Sequence, residues 1–128
     1  MSNIIICLVI AVMSLHLFTV TYRLNGINRS LYNIPISIFE SSIPLLDYND
    51  EIGLYYSKEM LKQKLTYYFN NSISGLCHSY EMDLYFYNQE DDSVCLSKYC
   101  NAVEITINAK VIFFTEYHRT ARFYISHN

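Results

Sequence analysis

Residues Ile4–Tyr22 constrain the fold more than any other stretch, and they read IIICLVIAVMSLHLFTVTY. The stretch holds no charged residue, no glycine and no proline. Nineteen residues at about 1.5 Å each make a helix of roughly 28 Å, close to the hydrocarbon thickness of a bilayer. A helix that is apolar on every side needs lipid or a deep core, and the rest of the chain is too small to surround it. The sequence therefore predicts a transmembrane anchor.

Three interpretations of this stretch are open: an uncleaved single-span anchor, a cleaved signal peptide, and a buried helix of a soluble protein. A signal peptide needs a basic start and a small-x-small cleavage site. Only Met1–Asn3 precedes the apolar run, and Leu17–Arg23 offers no clean site of that kind. The expectation is therefore an uncleaved anchor within residues 1–33, followed by a connector (34–49) and a small domain (50–128).

Composition narrows the classes of partner. The formal net charge is −3, from 9 Lys and Arg against 12 Asp and Glu, and no basic stripe occurs that would bind nucleic acid. The expected partners are membrane lipid, through residues 4–22, and other proteins. The chain has 13 tyrosines and no tryptophan, which reflects either a compositional bias or an amphipathic contact surface.

Four cysteines occur, and Cys7 lies inside the apolar stretch. Cys95 and Cys100 are separated by four residues and could close a short disulfide loop in an oxidising compartment. Free thiols are an equal alternative. Zinc is a weaker one, because Cys77 and His78 would complete four ligands only at a spacing that matches no common finger.

The stretch after the anchor predicts a helix that continues to about Tyr32, although Gly26 weakens it, and that ends before Pro35. Residues Ile34–Asp47 contain two prolines and three serines, so a poor helix and an extended connector are expected there. Asp50 to about Ser74 is expected to form an amphipathic helix, capped by Asn49 or Asp50 and ended by Gly75 in a left-handed conformation.

The remaining chain predicts strands, because apolar and polar residues alternate. The expected strands are His78–Asn88, Ala102–Thr115 and Tyr117–Ser126, with Val94–Leu96 as a short strand or part of the cysteine loop. The polar run NQEDDS at 88–93 predicts a turn. The fold class is thus α+β: an N-terminal transmembrane helix, then an amphipathic helix packed on a three- to four-stranded antiparallel sheet.

No pattern predicts a catalytic, cofactor or metal site. Glu90, Asp91 and Asp92 lack the order of a calcium loop, and His78, His118 and His127 lack metal-ligand spacing. His16 is polar within the anchor, where such residues mark helix contacts or proton sites, although one near the interface is tolerated. The protein is expected not to be an enzyme, with an enzyme of unrecognised site as a minor alternative.

The order of elements resembles that of type IV pilin-like proteins and of the minor pilins of tight-adherence systems. The shared plan is an N-terminal apolar helix, a connector, an amphipathic helix, and an antiparallel sheet with a late C-x4-C. The resemblance spans the chain and rests on architecture. It carries over no site residue, since position 5 is Ile5 and the first acidic residue is Glu40.

The leading functional prediction is a non-enzymatic, single-pass membrane protein that presents a small domain for assembly with or binding to other proteins. A secreted binding module with a cleaved signal peptide is the alternative. Arg23 and Arg29 follow the span and favour a cytoplasmic domain by the positive-inside rule. The spacing of Cys95 and Cys100 and the N-terminal position of the span favour a domain outside the cytoplasm, which is the expectation.

Overall fold

The computed structural model describes residues 2–43, 55–112 and 114–124. It contains a long N-terminal apolar helix and a small domain with two antiparallel sheets, in agreement with the predicted α+β layout. The helices are α1 (Ser2–Tyr32), α2 (Ile36–Glu40) and α3 (Lys58–Ser72). The strands are β1 (Tyr56–Ser57), β2 (Ser79–Tyr87), β3 (Tyr99–Cys100), β4 (Ala102–Lys110) and β5 (Glu116–Tyr124).

Helix α1 continues without a break from the apolar stretch to Tyr32, as predicted. Asn33 donates its backbone N–H to the carbonyl of Arg29 at 2.9 Å, and Pro35 follows two residues later. Because proline restricts the residue before it to extended conformations, the helix stops here. Gly26 lies inside α1 because its Cα approaches another part of the chain closely: a Cβ at this position would lie 2.7 Å from Cδ1 of Leu76.

The prediction of a non-helical connector is wrong over Ile36–Glu40, where the chain forms α2. Pro35 takes the N-cap position, with an extended ψ of 133°, and its carbonyl accepts the N–H of Ile38 at 3.0 Å. Proline at the start of a helix loses no hydrogen bond that the helix would have made, which explains why it is tolerated there. Residues 44–49 of the connector lie outside the described residues.

The amphipathic helix is present but shorter than predicted. It begins at Lys58, and Tyr56–Ser57 pair with β3 instead of continuing the helix. Ser57 is the N-cap, since its hydroxyl accepts the N–H of Met60 at 3.4 Å. The predicted caps Asn49 and Asp50 lie outside the described residues. The prediction of a left-handed Gly75 is also wrong: Ile73 is the C-cap, and Gly75 has no positive φ.

The main sheet has the strand order β2-β4-β5, and every pair is antiparallel. In the register, Leu84 lies opposite Ile105, and Ile105 lies opposite Ala121. The strand prediction at His78–Asn88 is confirmed within one residue at each end. The predicted strand Ala102–Thr115 ends early, at Lys110, and the last predicted strand begins at Glu116 and is described to Tyr124. The residues at 111–115 continue the apolar pattern of β4, so the pattern alone could not show that the strand ends at Lys110 and a turn follows.

Of the two alternatives predicted for Val94–Leu96, the structure has the loop: Val94 makes an isolated antiparallel bridge to Tyr87, and Leu96 lies in the loop that the Cys95–Cys100 disulfide closes. The second sheet consists of β1 and β3, with Tyr56 opposite Cys100. This pairing brings the start of α3 to the segment between β2 and β4. It is a contact between positions far apart in the chain, which local periodicity cannot predict.

One apolar cluster forms the core, and it draws on all three helices and on both sheets. Leu61, Leu65 and Phe69 of α3 are fully buried in it, as are Ile105 and Ile107 of β4. The last turns of α1 also contribute, because Ile27 and Leu31 are fully buried. The alternating residues of β2 and β5 that share the inner face of the sheet pack against this cluster, among them Met82, Leu84, Tyr117, Ala121 and Phe123.

Candidate interaction surfaces

The N-terminal half of α1 is exposed along its whole described length. Residues 2–18 are all exposed, and the most apolar window of the helix has a mean hydropathy of 2.5 with no buried residue. At about 1.5 Å per residue, these seventeen residues extend roughly 25 Å from the domain. The helix is therefore long and apolar enough to span a membrane. Thr19, which follows this segment, donates its hydroxyl to the carbonyl of Leu15 at 2.8 Å. The hydroxyl of Thr19 is therefore hydrogen-bonded within the helix itself.

Three tyrosines join α1 to the domain. The hydroxyl of Tyr117 donates to Oδ1 of Asn28 at 2.9 Å, and that of Tyr68 donates to the carbonyl of Ser30 at 2.9 Å. Tyr32 donates to the carbonyl of Thr120 at 3.3 Å. These bonds come from α3 and β5 as well as from α1 itself. The helix that carries the apolar segment is thus held to the domain by hydrogen bonds in addition to Ile27 and Leu31.

Replacing Tyr117 by phenylalanine tests this junction. Loss of the hydrogen bond to Asn28 should lower the free energy of unfolding by about 0.5–1.5 kcal/mol at neutral pH. Burial raises the pKa of Tyr117 to about 12, whereas an unfolded tyrosine titrates near pH 10. The native protein therefore holds a proton that the unfolded chain loses, and stability should fall from about pH 10 to pH 12.

The measurement is urea unfolding of the full chain in detergent at pH 8 and at a series of alkaline pH values. Tyr117→Phe should show a smaller alkaline loss than the unmodified chain, while Tyr67→Phe, at a side chain that is 73% exposed, should behave like the unmodified chain. An unchanged alkaline slope in Tyr117→Phe would contradict the assignment.

The outer face of the main sheet carries a row of aromatic and charged side chains. We call it the aromatic row and define it as Tyr85, Tyr87, Glu104, Arg122 and Tyr124. The rings of Tyr85 and Tyr87 stack with centroids 6.1 Å apart, and the guanidinium carbon of Arg122 lies 5.2 Å from the centroid of Tyr87. Arg122 Nε also lies 3.7 Å from Oε1 of Glu104. Because β2, β4 and β5 place these residues in register, the strands themselves hold the row together.

The aromatic row is accessible in part. Tyr85 is 40% exposed and Tyr124 is 57% exposed, whereas Tyr87 is buried. Burial raises the pKa of Tyr87, and the Arg122 charge opposes this shift. The remainder of the outer face is polar: Thr106 and Thr120 share a hydrogen bond of 2.9 Å, and His118 pairs with Asn108. Tyrosine and arginine beside a polar rim are the composition typical of a protein-binding surface.

A disulfide closes the loop beside the aromatic row. Cys95 and Cys100 are bonded, with Cα atoms 6.1 Å apart, and both are buried. Lys58, at the start of α3, donates its ammonium to the carbonyl of Cys95 and lies 5.6 Å from the centroid of Phe86. Cys77 is a free thiol that lies within the core cluster, and burial raises its pKa.

The other side chains that the sequence offers as metal ligands are not gathered into one site among the described residues. In the parts of the chain that the structure describes, no group of three or more His, Cys, Asp or Glu side chains is placed to hold a metal ion. Asp91 accepts the backbone N–H of Ser93 at 3.1 Å and its hydroxyl at 2.7 Å, and these bonds lower the pKa of Asp91. Glu90 accepts from the amide of Asn101 at 2.9 Å. These two acids therefore stabilise the turn at 88–93; His127 lies outside the described residues.

A concavity lined by several charged and polar side chains lies at the end of the main sheet where β2 begins and β4 ends. It has a volume of about 410 Å³. Its charged and polar side chains Glu81, Lys110, Glu116 and His118 come from three strands, and all four are exposed to solvent. They line an open rim of the sheet and are not gathered in a buried cavity of the kind that most small-molecule sites use.

Comparisons with protein-family models, curated proteins and solved structures found no match to the chain. The resemblance to pilin-like proteins consequently stays a prediction from the order of the elements.

Proposed function

We propose that the protein is a non-enzymatic, single-pass membrane protein of pilin-like design, which presents its α+β domain outside the cytoplasm for assembly with other proteins. The observation that carries this proposal is the division of α1. Its first half, residues 2–18, is largely apolar and exposed, whereas Ile27 and Leu31 of the same helix are fully buried in the domain. One rigid helix therefore joins the anchor to the folded domain, without a flexible linker between them.

The continuous helix distinguishes a protein that holds its domain in one orientation from a protein whose domain moves on a flexible linker. A domain on a flexible linker samples many orientations, whereas a domain whose core contains the end of the anchor keeps one orientation relative to the helix axis. A fixed orientation supports regular assembly of neighbouring subunits in a membrane. As part of this proposal, α3 covers the inner face of the main sheet, because Leu61, Leu65 and Phe69 share one buried cluster with β4.

The aromatic row is the proposed contact surface for partner proteins. Its three tyrosines and one arginine lie on the face of the sheet opposite the core cluster, and Tyr85 and Tyr124 leave large apolar ring areas in solvent. Tyrosine and arginine are the residues that most often carry binding energy at the centre of protein interfaces. Arg122 is already oriented by Tyr87 and Glu104, so little further side-chain entropy is lost on binding.

Two features of the chain give opposite indications of the side of the membrane on which the domain lies. Arg23 and Arg29 follow the span and favour a cytoplasmic domain, but two charges are a small bias. The disulfide Cys95–Cys100 favours an oxidising compartment, because thiols in the cytosol are kept reduced. We take the disulfide as the stronger feature and place the domain outside.

Two cysteine variants test orientation and assembly together, in a Cys7→Ser background where Cys77 is buried and Cys95 and Cys100 are bonded to each other. Asp83→Cys lies on the outer face of β2, and Tyr67→Cys lies on α3; both native side chains are exposed. In intact cells, a membrane-impermeant maleimide should label Tyr67→Cys. It should label Asp83→Cys only weakly in cells, because the outer face is covered by partners, and fully after purification in detergent.

Each outcome has a distinct meaning. Labelling of Tyr67→Cys only after the membrane is permeabilised would place the domain in the cytoplasm. Equal labelling of the two variants in cells would contradict coverage of the outer face. An N-terminally shortened, soluble product in the culture medium would instead favour the secreted binding module with a cleaved signal peptide.

A further inference from the structure

The two ends of the main sheet have turns of opposite character. The turn at 88–93, next to the disulfide loop, reads NQEDDS, whereas residues 111–115, which connect β4 to β5, read VIFFT. Turns in soluble proteins favour glycine, proline, asparagine, aspartate and serine, for reasons of backbone conformation and hydrogen bonding. The β4–β5 turn contains none of these residues. These turn preferences explain the composition of the NQEDDS turn, but they do not explain the apolar composition of the β4–β5 turn.

Among the described residues of this turn, Phe114 is the most exposed large apolar one. Its side chain has a relative exposure of 105%, and its φ of 62° lies in the left-handed region. Asp92, in the polar turn, also has a positive φ of 58°, but aspartate tolerates this region far better than a bulky aromatic residue does. The backbone is held in place by hydrogen bonds between Val111 and Thr115, at 2.8 Å, and between Thr115 and Ile112, at 3.2 Å. The side chain of Phe114 is thus exposed, although a positive φ is unfavourable for a bulky aromatic residue.

The position of Phe114 along α1 follows from two hydrogen bonds. Tyr117 bonds Asn28, and the carbonyl of Thr120 bonds Tyr32, so β5 and α1 advance in the same direction. These two bonds pair an advance of three residues along β5 with an advance of four residues along α1. Phe114 lies three residues before Tyr117, so it is level with about residue 24, just after the apolar stretch ends at Tyr22.

A second set of contacts leads to nearly the same level. Gly26 of α1 lies against Leu76, because a Cβ on Gly26 would be 2.7 Å from Cδ1 of Leu76. Two residues after Leu76, His78 donates its N–H to the carbonyl of Lys110 at 2.7 Å. His78, Lys110 and Phe114 line one surface concavity of about 560 Å³. The turn therefore lies on the side of the domain from which the exposed apolar half of α1 extends.

From this placement we infer that the β4–β5 turn is a second membrane contact, in which Phe114 enters the lipid interface beside α1. This inference rests on the proposed function, because it requires α1 to be inserted in the membrane. Apolar aromatic side chains bind at the boundary between headgroups and acyl chains. With α1, the turn would give the domain two points of attachment and thereby fix its tilt on the membrane.

The absence of tryptophan from the chain makes a direct test possible. The full chain is reconstituted in vesicles of phosphatidylcholine and phosphatidylglycerol with brominated acyl chains, which quench tryptophan fluorescence on contact. Three single-tryptophan variants are compared: Phe114→Trp in the turn, Phe18→Trp in the anchor, and Leu96→Trp, a 90% exposed position in the disulfide loop at the opposite end of the sheet. Phe114→Trp and Phe18→Trp should be quenched and blue-shifted, and Leu96→Trp should emit as in unbrominated vesicles.

The variants separate the two proposals. Quenching of Phe18→Trp with emission of Phe114→Trp equal to that of Leu96→Trp would overturn the second membrane contact and leave the anchor intact; Phe114 would then be a surface for protein. Lack of quenching in Phe18→Trp would overturn the membrane anchor itself. Circular dichroism of each variant verifies that the domain is folded.

Discussion

Replacing Phe69 by alanine should lower the free energy of unfolding by about 3–5 kcal/mol. Phe69 is fully buried near the middle of the apolar cluster, and it also makes an edge contact with Tyr68, with ring centroids 5.0 Å apart. Truncation removes the transfer free energy of the ring and leaves a cavity between α3 and the sheet, which the rigid β4 cannot easily fill. Leu65→Ala, at another fully buried position on the same face, should cost about 2–5 kcal/mol.

Tyr67→Ala is the matched control for these core variants. Tyr67 lies on the same helix, two residues from each core position, but its side chain is 73% exposed, so the loss should be within about 0.5 kcal/mol. The measurement is denaturant unfolding of the full chain in detergent, followed by circular dichroism. If Phe69→Ala and Leu65→Ala unfolded like Tyr67→Ala, the proposal that α3 covers the inner face of the sheet would be wrong.

Introducing two arginines into the exposed half of α1 should release the protein from the membrane. Ile10 and Met13 are 58% and 59% exposed and lie near the middle of the apolar stretch. An arginine at the centre of a transmembrane helix is unfavourable by about 2.5–3.5 kcal/mol on insertion scales. The unmodified chain should stay in the membrane pellet after alkaline carbonate washing, and the double variant Ile10→Arg, Met13→Arg should move to the soluble or aggregated fraction.

The matched control is Ile10→Leu, Met13→Leu, which keeps the stretch apolar and should stay in the pellet. Because Ile10 and Met13 are both exposed, neither pair of substitutions should alter the unfolding of the domain. Recovery of the unmodified, full-length chain in the soluble fraction would refute the anchor.

The candidate surface was only partly predictable from the sequence. The abundance of tyrosine indicated an amphipathic contact surface as one of two explanations, but it did not say where. Tyr87 and Arg122 meet because both are in register with β4, across 35 positions of the chain. Such a pairing depends on which strands are neighbours, and alternation alone does not specify the partner of a strand. The exposed phenylalanine of the β4–β5 turn was hidden for the same reason, since the pattern VIFFT continues the strand.

What the sequence determined by itself is local: the apolar stretch that became α1, its end before Pro35, and the alternating residues of β2 and β4. These follow from periodicity and from backbone restrictions, which act over a few residues. Tertiary structure decided the rest. Pairing of Tyr56 with Cys100 moved the start of α3 to Lys58, the approach of Leu76 explains Gly26, and burial of Ile27 and Leu31 built the end of α1 into the core. Each of these depends on contacts between distant segments, whose free energy of burial and hydrogen bonding outweighs the local preferences of the residues involved.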